Sequence, residues 1–345
     1  MLKKIELPRK VLIGDNAIEK VSNLCKKLQL GKKAIIVSGK KTMKIAGRKV
    51  EEQLLKSDFD VEVKLAERSS LDEAEELGDY IEKKKIDFVV GVGGGKNIDL
   101  AKYASYIAYV PFISIPTAAS HDGIASPNAS FKGVSKKASA PIAIVADLEV
   151  ISKAPYRFTA AGCGDLVANY TAVKDWELAH KLRGEYYGDY AAALALMSAK
   201  IIINNASEIA KKLKESVKIV VEALISSGTA MSIAGSSRPC SGAEHMFSHA
   251  LDRIAPKPAL HGEQCGVGTI MMAYLHGLPW QRIRDALKKI GAPTTARELG
   301  IEDEYIIKAL TIANKIRPKR YTILGDKGIT RKAAEELARK TGVIE

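Results

Sequence analysis

Over residues 1–150 the chain alternates short β-branched runs with stretches whose apolar positions recur at helical spacing. Runs at 9–14, 34–39, 60–65, 87–92, 111–116 and 141–147 predict strands. The segments 16–30, 43–57, 71–85 and 97–108 between them predict helices. The third of these opens on a serine cap, with acids in its first turn and lysines in its last. That arrangement satisfies free N–H groups and suits the helix dipole. Strands alternating with helices predict an α/β domain built on a parallel, doubly wound sheet with helices on both faces.

After Asp147 the period-2 runs stop. Long Ala-, Leu-, Ile- and Lys-rich segments of helical period continue to the end of the chain, and they predict an all-helical domain over 151–345. The boundary is expected at 148–157, near Pro155.

Composition adds limits to this picture. A length of 345 residues argues for two domains rather than one core. With 46% hydrophobic and 27% charged residues, the chain reads as an ordinary globular protein. No run approaches the roughly 18 apolar residues that a bilayer span needs. The N-terminus turns charged again before a signal-length apolar stretch develops. A cytoplasmic protein without membrane insertion is therefore expected. The net charge of +13 raises the question of nucleic acid. Its lysines are interleaved with Glu along helical faces, however, and no aromatic–basic stripe accompanies them. We expect no nucleic-acid partner, but a positive field that draws in anionic substrates. The cysteines Cys25, Cys163, Cys240 and Cys265 form no CxxC pair, which argues against both a disulfide framework and a thiolate zinc site. A homo-oligomeric assembly is left open.

The run at 87–92 leads into Gly93-Gly94-Gly95, then Lys96-Asn97 and a helix. Glycines let the backbone approach a diphosphate, and a helix N-terminus offers free N–H groups and a positive dipole end. This is not the spaced dinucleotide fingerprint, but its strand-to-helix setting makes 1–150 a Rossmann-like, dinucleotide-binding domain. A second loop, after the run at 111–116, carries Thr117, Ser120 and Ser126 where open α/β folds bind ligands. After the run at 34–39 the chain shows Ser38-Gly39-Lys40-Lys41, without the acid that would repel a 2′-phosphate. NADPH is expected to be accepted as well as NADH.

The helical half concentrates metal-ligand chemistry. Of six histidines in the chain, His245, His249 and His261 fall in two neighbouring segments. Asp165, His245 and His261 together offer a carboxylate and two imidazoles, and three protein ligands with one open position describe a catalytic zinc site. His245 and His249 are four apart and share a helix face. Spacing therefore leaves open a second set in which they bind the metal and His261 is free. Glu244 precedes His245 instead of following it, so a zincin helix is discounted.

The segments GVGGGKNIDLAK, PTAASHDGIASPNASF, AAGCGDLVA, SGAEHMFSHALD and HGEQCGVGT stand in this order. Together they resemble the iron-containing alcohol dehydrogenase, glycerol dehydrogenase and dehydroquinate synthase-like superfamily. Within it they are most similar to the archaeal sn-glycerol-1-phosphate dehydrogenase family. The resemblance covers nearly the whole chain. It implies that Asp165, His245 and His261 hold the metal, with Asp165 also facing substrate. It places Asp122 and His249 at the substrate as catalytic groups, His249 being the first candidate for proton transfer. It implies that Gly93, Gly94, Gly95, Lys96, Asn97, Thr117, Ser120 and Ser126 contact the nicotinamide dinucleotide.

The reaction so implied is reduction of dihydroxyacetone phosphate to sn-glycerol 1-phosphate, towards the archaeal phospholipid backbone, with Zn²⁺ and NADPH or NADH. An Asp/His₂ donor set also suits Fe²⁺ or Ni²⁺. Arg238, Lys257, Arg317 and Arg320 are candidate phosphate partners that the sequence does not rank. Two other readings compete: a glycerol dehydrogenase acting on an unphosphorylated polyol, and a non-catalytic basic protein binding nucleic acid.

Overall fold

The computed structural model describes residues 5–131 and 134–345. Its strands are β1 (Lys10–Gly14), β2 (Lys33–Ser38), β3 (Asp60–Leu65), β4 (Phe88–Gly93), β5 (Phe112–Pro116), β6 (Asn128–Phe131), β7 (Val134–Lys137) and β8 (Ala143–Asp147). Six of them form one sheet in the order β1-β8-β5-β4-β2-β3. Every pairing in that sheet is parallel. Successive side chains point to opposite faces, and both faces are covered. Ile36, Val90, Val92, Ile113, Ile115 and Val145 enter one apolar cluster, while Ile35, Val37, Val89 and Phe112 enter the other. That two-sided burial is why these strands read as nearly unbroken hydrophobic runs.

The antiparallel hairpin β6–β7 is an addition to the sequence-based expectation. Its first strand is only four residues long and lies in a polar loop, so its period hardly registers. It forms because Ala129 and Phe131 turn inward and join the second cluster. A buried lysine ties the same loop down. Lys102, on the helix Gly95–Ile107, donates from Nζ to Gly123 O and Asn128 O, both at 2.6 Å, and pairs with Asp99 at 3.1 Å. Asp99 in turn accepts Ser130 N–H at 3.0 Å. Replacing Lys102 with Met strands the Asp99 carboxylate in the interior, and breaking a buried pair from one side typically costs about 3–5 kcal/mol. Urea unfolding of the Lys102→Met variant is expected to show a loss of that order. An unchanged midpoint would mean that the loop does not depend on this lysine.

Past Asp147 the described residues contain helices and turns with no further strand. The chain folds into two compact units. The first comprises Met1–Ala119, Gly123–Tyr156 and Leu213–Val221, and the second Ser120–Asp122, Arg157–Lys212 and Glu222–Glu345. The second unit thus takes a three-residue segment from within the α/β half, and that segment carries Asp122. Among the described residues one helix, Lys214–Ala234, is long and apolar enough to cross a membrane, although no uninterrupted apolar run announces it. In its most apolar window 61% of residues are buried inside the protein, as in a core helix.

Candidate active site

In the first unit, the chain reverses its direction of progress across the sheet between β2 and β4. β2 leads to β3 on one side, whereas β4 leads to β5 on the other. Ligands of open α/β sheets bind at the carboxyl ends of strands at such a switch point. The loops found there are the two singled out by composition. Gly93 ends β4 at φ +152°, and a Cβ at that position would stand 2.4 Å from Asn97 Nδ2. A side chain is therefore excluded by both backbone and space. Gly94 precedes the helix Gly95–Ile107, whose first N–H groups face the loop. Asn97 Nδ2 donates to Thr42 Oγ1 at 3.1 Å, and Gly39 N–H donates to the same oxygen at 3.0 Å. These bonds fasten the loop after β2 to the loop after β4. Thr117 N–H donates to Gly93 O at 3.0 Å and fastens the loop after β5 as well. Lys40, Lys41 and Lys96 are exposed around this cradle of backbone donors, and Ser126 is buried. Ser120 belongs to the second unit.

In the second unit, Asp165 lies on the helix Tyr156–Arg183, His245 and His249 on Ala243–Ile254, and His261 at the first position of His261–Leu275. The helices carrying Asp165 and His261 approach backbone to backbone. A Cβ on Gly262 would stand 1.9 Å from Ala161 O, and one on Gly164 2.2 Å from Gly262 O. Only glycines allow this contact, and each is next to a ligand candidate. Arg157 reinforces it by forking onto Glu263 at 2.6 and 2.7 Å. The result brings His245 Nε2 to 3.4 Å and His261 Nε2 to 3.7 Å from Asp165 Oδ1.

Cys265 joins them. Its Sγ is 3.5 Å from His261 Nε2, and one donor atom from each of Asp165, His245, His261 and Cys265 lies within 4.8 Å of the others. The lack of a CxxC pair conceals this residue in the sequence. The usable signal was its position one helical turn after His261. Cys163, by contrast, is a buried thiol pushed far up by desolvation.

The electrostatics describe a site built for a cation. Burial alone would raise Asp165, but the His245 hydrogen bond and the His261 charge hold it down to about 2. Burial opposes protonation of His261, yet the Cys265 and Asp165 charges raise it to about 9. His245 is raised against its burial by Cys265 and Asp165. A carboxylate, two imidazoles and a thiol thus surround one point, and their chemistry fits a divalent metal such as zinc.

A second layer orients the donors. His245 Nδ1 is 3.0 Å from Glu244 Oε1, while Glu244 Oε2 accepts Thr171 Oγ1 at 2.8 Å. Ser248 Oγ meets His261 Nδ1 at 3.1 Å, and Gln264 Nε2 donates to that hydroxyl at 3.0 Å. Such partners fix which imidazole nitrogen faces a metal.

His249 stacks on His261 at 5.4 Å between ring centroids, but it is not one of the donors grouped with Asp165. Its own carboxylate neighbour is Asp252, at 3.5 Å from Nδ1. Asp122 donates its N–H to Asp165 at 2.9 Å and accepts Ser227 Oγ at 2.8 Å. Burial and the Asp165 carboxylate push its own carboxyl up to about 7.

A family model described as iron-containing alcohol dehydrogenase matches residues 12–155. The glycerol-1-phosphate dehydrogenase (NAD(P)+) of Thermococcus sibiricus is 58% identical over 344 residues, covering 99% of this chain and 98% of that protein. The enzyme of the same name from Methanosarcina acetivorans is 57% identical over 346 residues, covering 99% and 97%. Among solved structures, glycerol dehydrogenase from Schizosaccharomyces pombe superimposes with a TM-score of 0.82 at 21% identity, covering 99% of this chain and 90% of that one. At that identity the likeness speaks to fold alone. Near-full-length identity of 57–58% is decisive: the chain belongs to the archaeal glycerol-1-phosphate dehydrogenase (NAD(P)+) family of the iron-containing alcohol dehydrogenase superfamily.

Proposed function

We propose that this protein reduces dihydroxyacetone phosphate to sn-glycerol 1-phosphate, using NADPH or NADH and a Zn²⁺ ion held by Asp165, His245 and His261. The observation that carries the reading is the convergence of these three residues and Cys265 on one point in a chain of this family. A thiol among the donors favours zinc over the hard cations. When bound, the metal polarises the substrate carbonyl and the nicotinamide supplies a hydride.

The protein's own groups do the rest. Asp165, His245 and His261 would hold the ion, and Glu244 and Ser248 orient the two imidazoles through their hydrogen bonds. His249, stacked on His261, relays a proton to the reduced oxygen, taking one from water on one ring nitrogen as it releases one from the other. Asp122 is the second candidate for that step, held against Asp165 and Ser227. Gly93, Gly94, Gly95, Lys96, Asn97, Thr117, Ser120 and Ser126 bind the dinucleotide. The backbone N–H groups of the glycine loop take its diphosphate, and Lys40 and Lys41 accommodate a 2′-phosphate. The product enters phospholipid backbone synthesis in the cytoplasm, and the protein comprises a dinucleotide-binding domain over 1–150 and a metal- and substrate-binding domain over 151–345.

An NADPH-oxidation assay on the zinc-loaded protein tests this directly. Dihydroxyacetone phosphate is expected to be preferred over dihydroxyacetone by about a hundredfold or more in kcat/KM, the scale set by charge-assisted phosphate contacts. Turnover confined to the unphosphorylated ketone would replace this reading with a polyol dehydrogenase.

A further inference from the structure

We propose that Arg317 and Arg320 form the clamp that recognises the substrate's phosphate. The inference rests on the phosphorylated-ketone reading above and deepens it. Of the four basic residues that could meet a phosphate, two are otherwise disposed. Lys257 is exposed beyond the end of the helix Ala243–Ile254. Arg238 is buried, but its guanidinium forks onto both carboxylate oxygens of Glu185 and donates to Tyr321 O at 2.8 Å.

Arg317 and Arg320 are different. Arg317 Nη1 donates to Ser237 Oγ at 3.2 Å and lies 3.5 Å from Ser241 Oγ. Arg320 Nη2 donates to the same Ser237 oxygen at 3.0 Å, and its Nη1 donates to Ser241 O. Sharing one hydroxyl, the two guanidiniums stand side by side. Their hydrogen-bond partners are all neutral, and among the described residues neither is held in an ion pair. Both are partly buried. Desolvation and the nearby Arg238 charge hold Arg317 down, and desolvation together with Arg317 and Arg238 brings Arg320 down to about 9. Two adjacent cations with neutral partners are costly unless an anion completes the arrangement. Planar guanidinium forks match phosphate oxygens, which a dianionic phosphate monoester supplies.

The position suits the substrate too. Ser241 and Gly242 lead directly into the helix bearing His245 and His249.

The test compares kcat/KM for dihydroxyacetone phosphate and for dihydroxyacetone in the zinc-loaded wild type and in Arg317→Gln, Arg320→Gln and Lys257→Gln. The phosphate-to-free-ketone ratio is expected to fall about a hundredfold in each arginine variant, and to hold in Lys257→Gln. Calorimetric titration with inorganic phosphate runs in parallel and needs no turnover. Wild type is expected to bind phosphate at least about tenfold more tightly than either arginine variant. Circular dichroism and zinc content establish that each variant is folded, and Arg317→Gln decides alone if Arg320→Gln does not fold. Equal loss on both ketones, unchanged phosphate affinity, or the drop appearing in Lys257→Gln overturns the clamp. A wild type that binds phosphate through these arginines yet leaves dihydroxyacetone phosphate unreduced keeps the clamp and overturns the proposed reaction instead.

Discussion

Replacing Gly262 with alanine is expected to dismantle the metal cluster from a position that offers no ligand. The new Cβ would stand 1.9 Å from the carbonyl oxygen of Ala161, a backbone atom that cannot rotate aside. Relief requires the helices Tyr156–Arg183 and His261–Leu275 to separate. Gly262 directly follows His261, and Gly164 directly precedes Asp165, so separation pulls these donors apart. Overpacking usually costs about 1–3 kcal/mol, and a backbone collision belongs at or above the upper end. The effect should be graded. A Cβ on Gly164 would meet Gly262 O at 2.2 Å, whereas one on Gly266 would stand 3.3 Å from Gly164 Cα. Urea midpoints and zinc per chain, measured together, are expected to fall in the order Gly266→Ala, Gly164→Ala, Gly262→Ala, with the last most impaired. A Gly262→Ala protein with full stability and full zinc would show that this crossing does not build the site.

Removal of a donor is expected to have the largest effect on catalysis. His261→Ala and Asp165→Asn should each lose zinc, and turnover should fall by about a thousandfold or more, as when the group stabilising developing negative charge is removed. His249→Ala is expected to separate the two readouts. Zinc should remain, because His249 lies outside the group that includes Asp165, while turnover falls by about 10²–10⁴, the range of a lost acid–base group. Elemental analysis and NADPH oxidation on the same samples distinguish the cases. Zinc lost from His249→Ala and retained in His261→Ala would reassign the ligands to the pair on one helix face.

Much of the architecture was legible in the chain. The run 111–116 reads as a strand because a parallel strand covered on both faces is hydrophobic at nearly every position, the half-exposed edge run 60–65 because its apolar residues alternate with charged ones, and each strand of the main sheet begins within two residues of its predicted run. The hairpin β6–β7 was not legible, because four residues hold too few periods to stand out from a polar loop. Lys102 shows another limit. In sequence it is one more surface-like lysine on a helix, and only the folded loop supplies the carbonyls that bury it.

The candidate site divides in the same way. Local chemistry marked the glycine loop, because a strand, three glycines and a helix start are contiguous and their use depends on backbone conformation within a few residues. The ligand geometry is not local. His245 and His249 look equivalent on one helix face, and only the packing of a second helix places His261, rather than His249, in the group with Asp165. Cys265 was set aside for lack of a cysteine partner, yet its neighbours in space are a carboxylate and two imidazoles. Among the basic candidates for a phosphate, Arg238 is already claimed by a carboxylate and Lys257 is exposed, whereas Arg317 and Arg320 have neutral partners. Glu185 reaches Arg238 across 53 residues of sequence, and Arg317 and Arg320 share Ser237 more than 75 residues away. The sequence by itself determined the alternating α/β and helical halves, the glycine loop between strand and helix, and the family, since these depend on periodicity and contiguous motifs. The tertiary structure alone decided which donors meet and which charges remain uncompensated, because those are set by side chains brought together from distant parts of the chain.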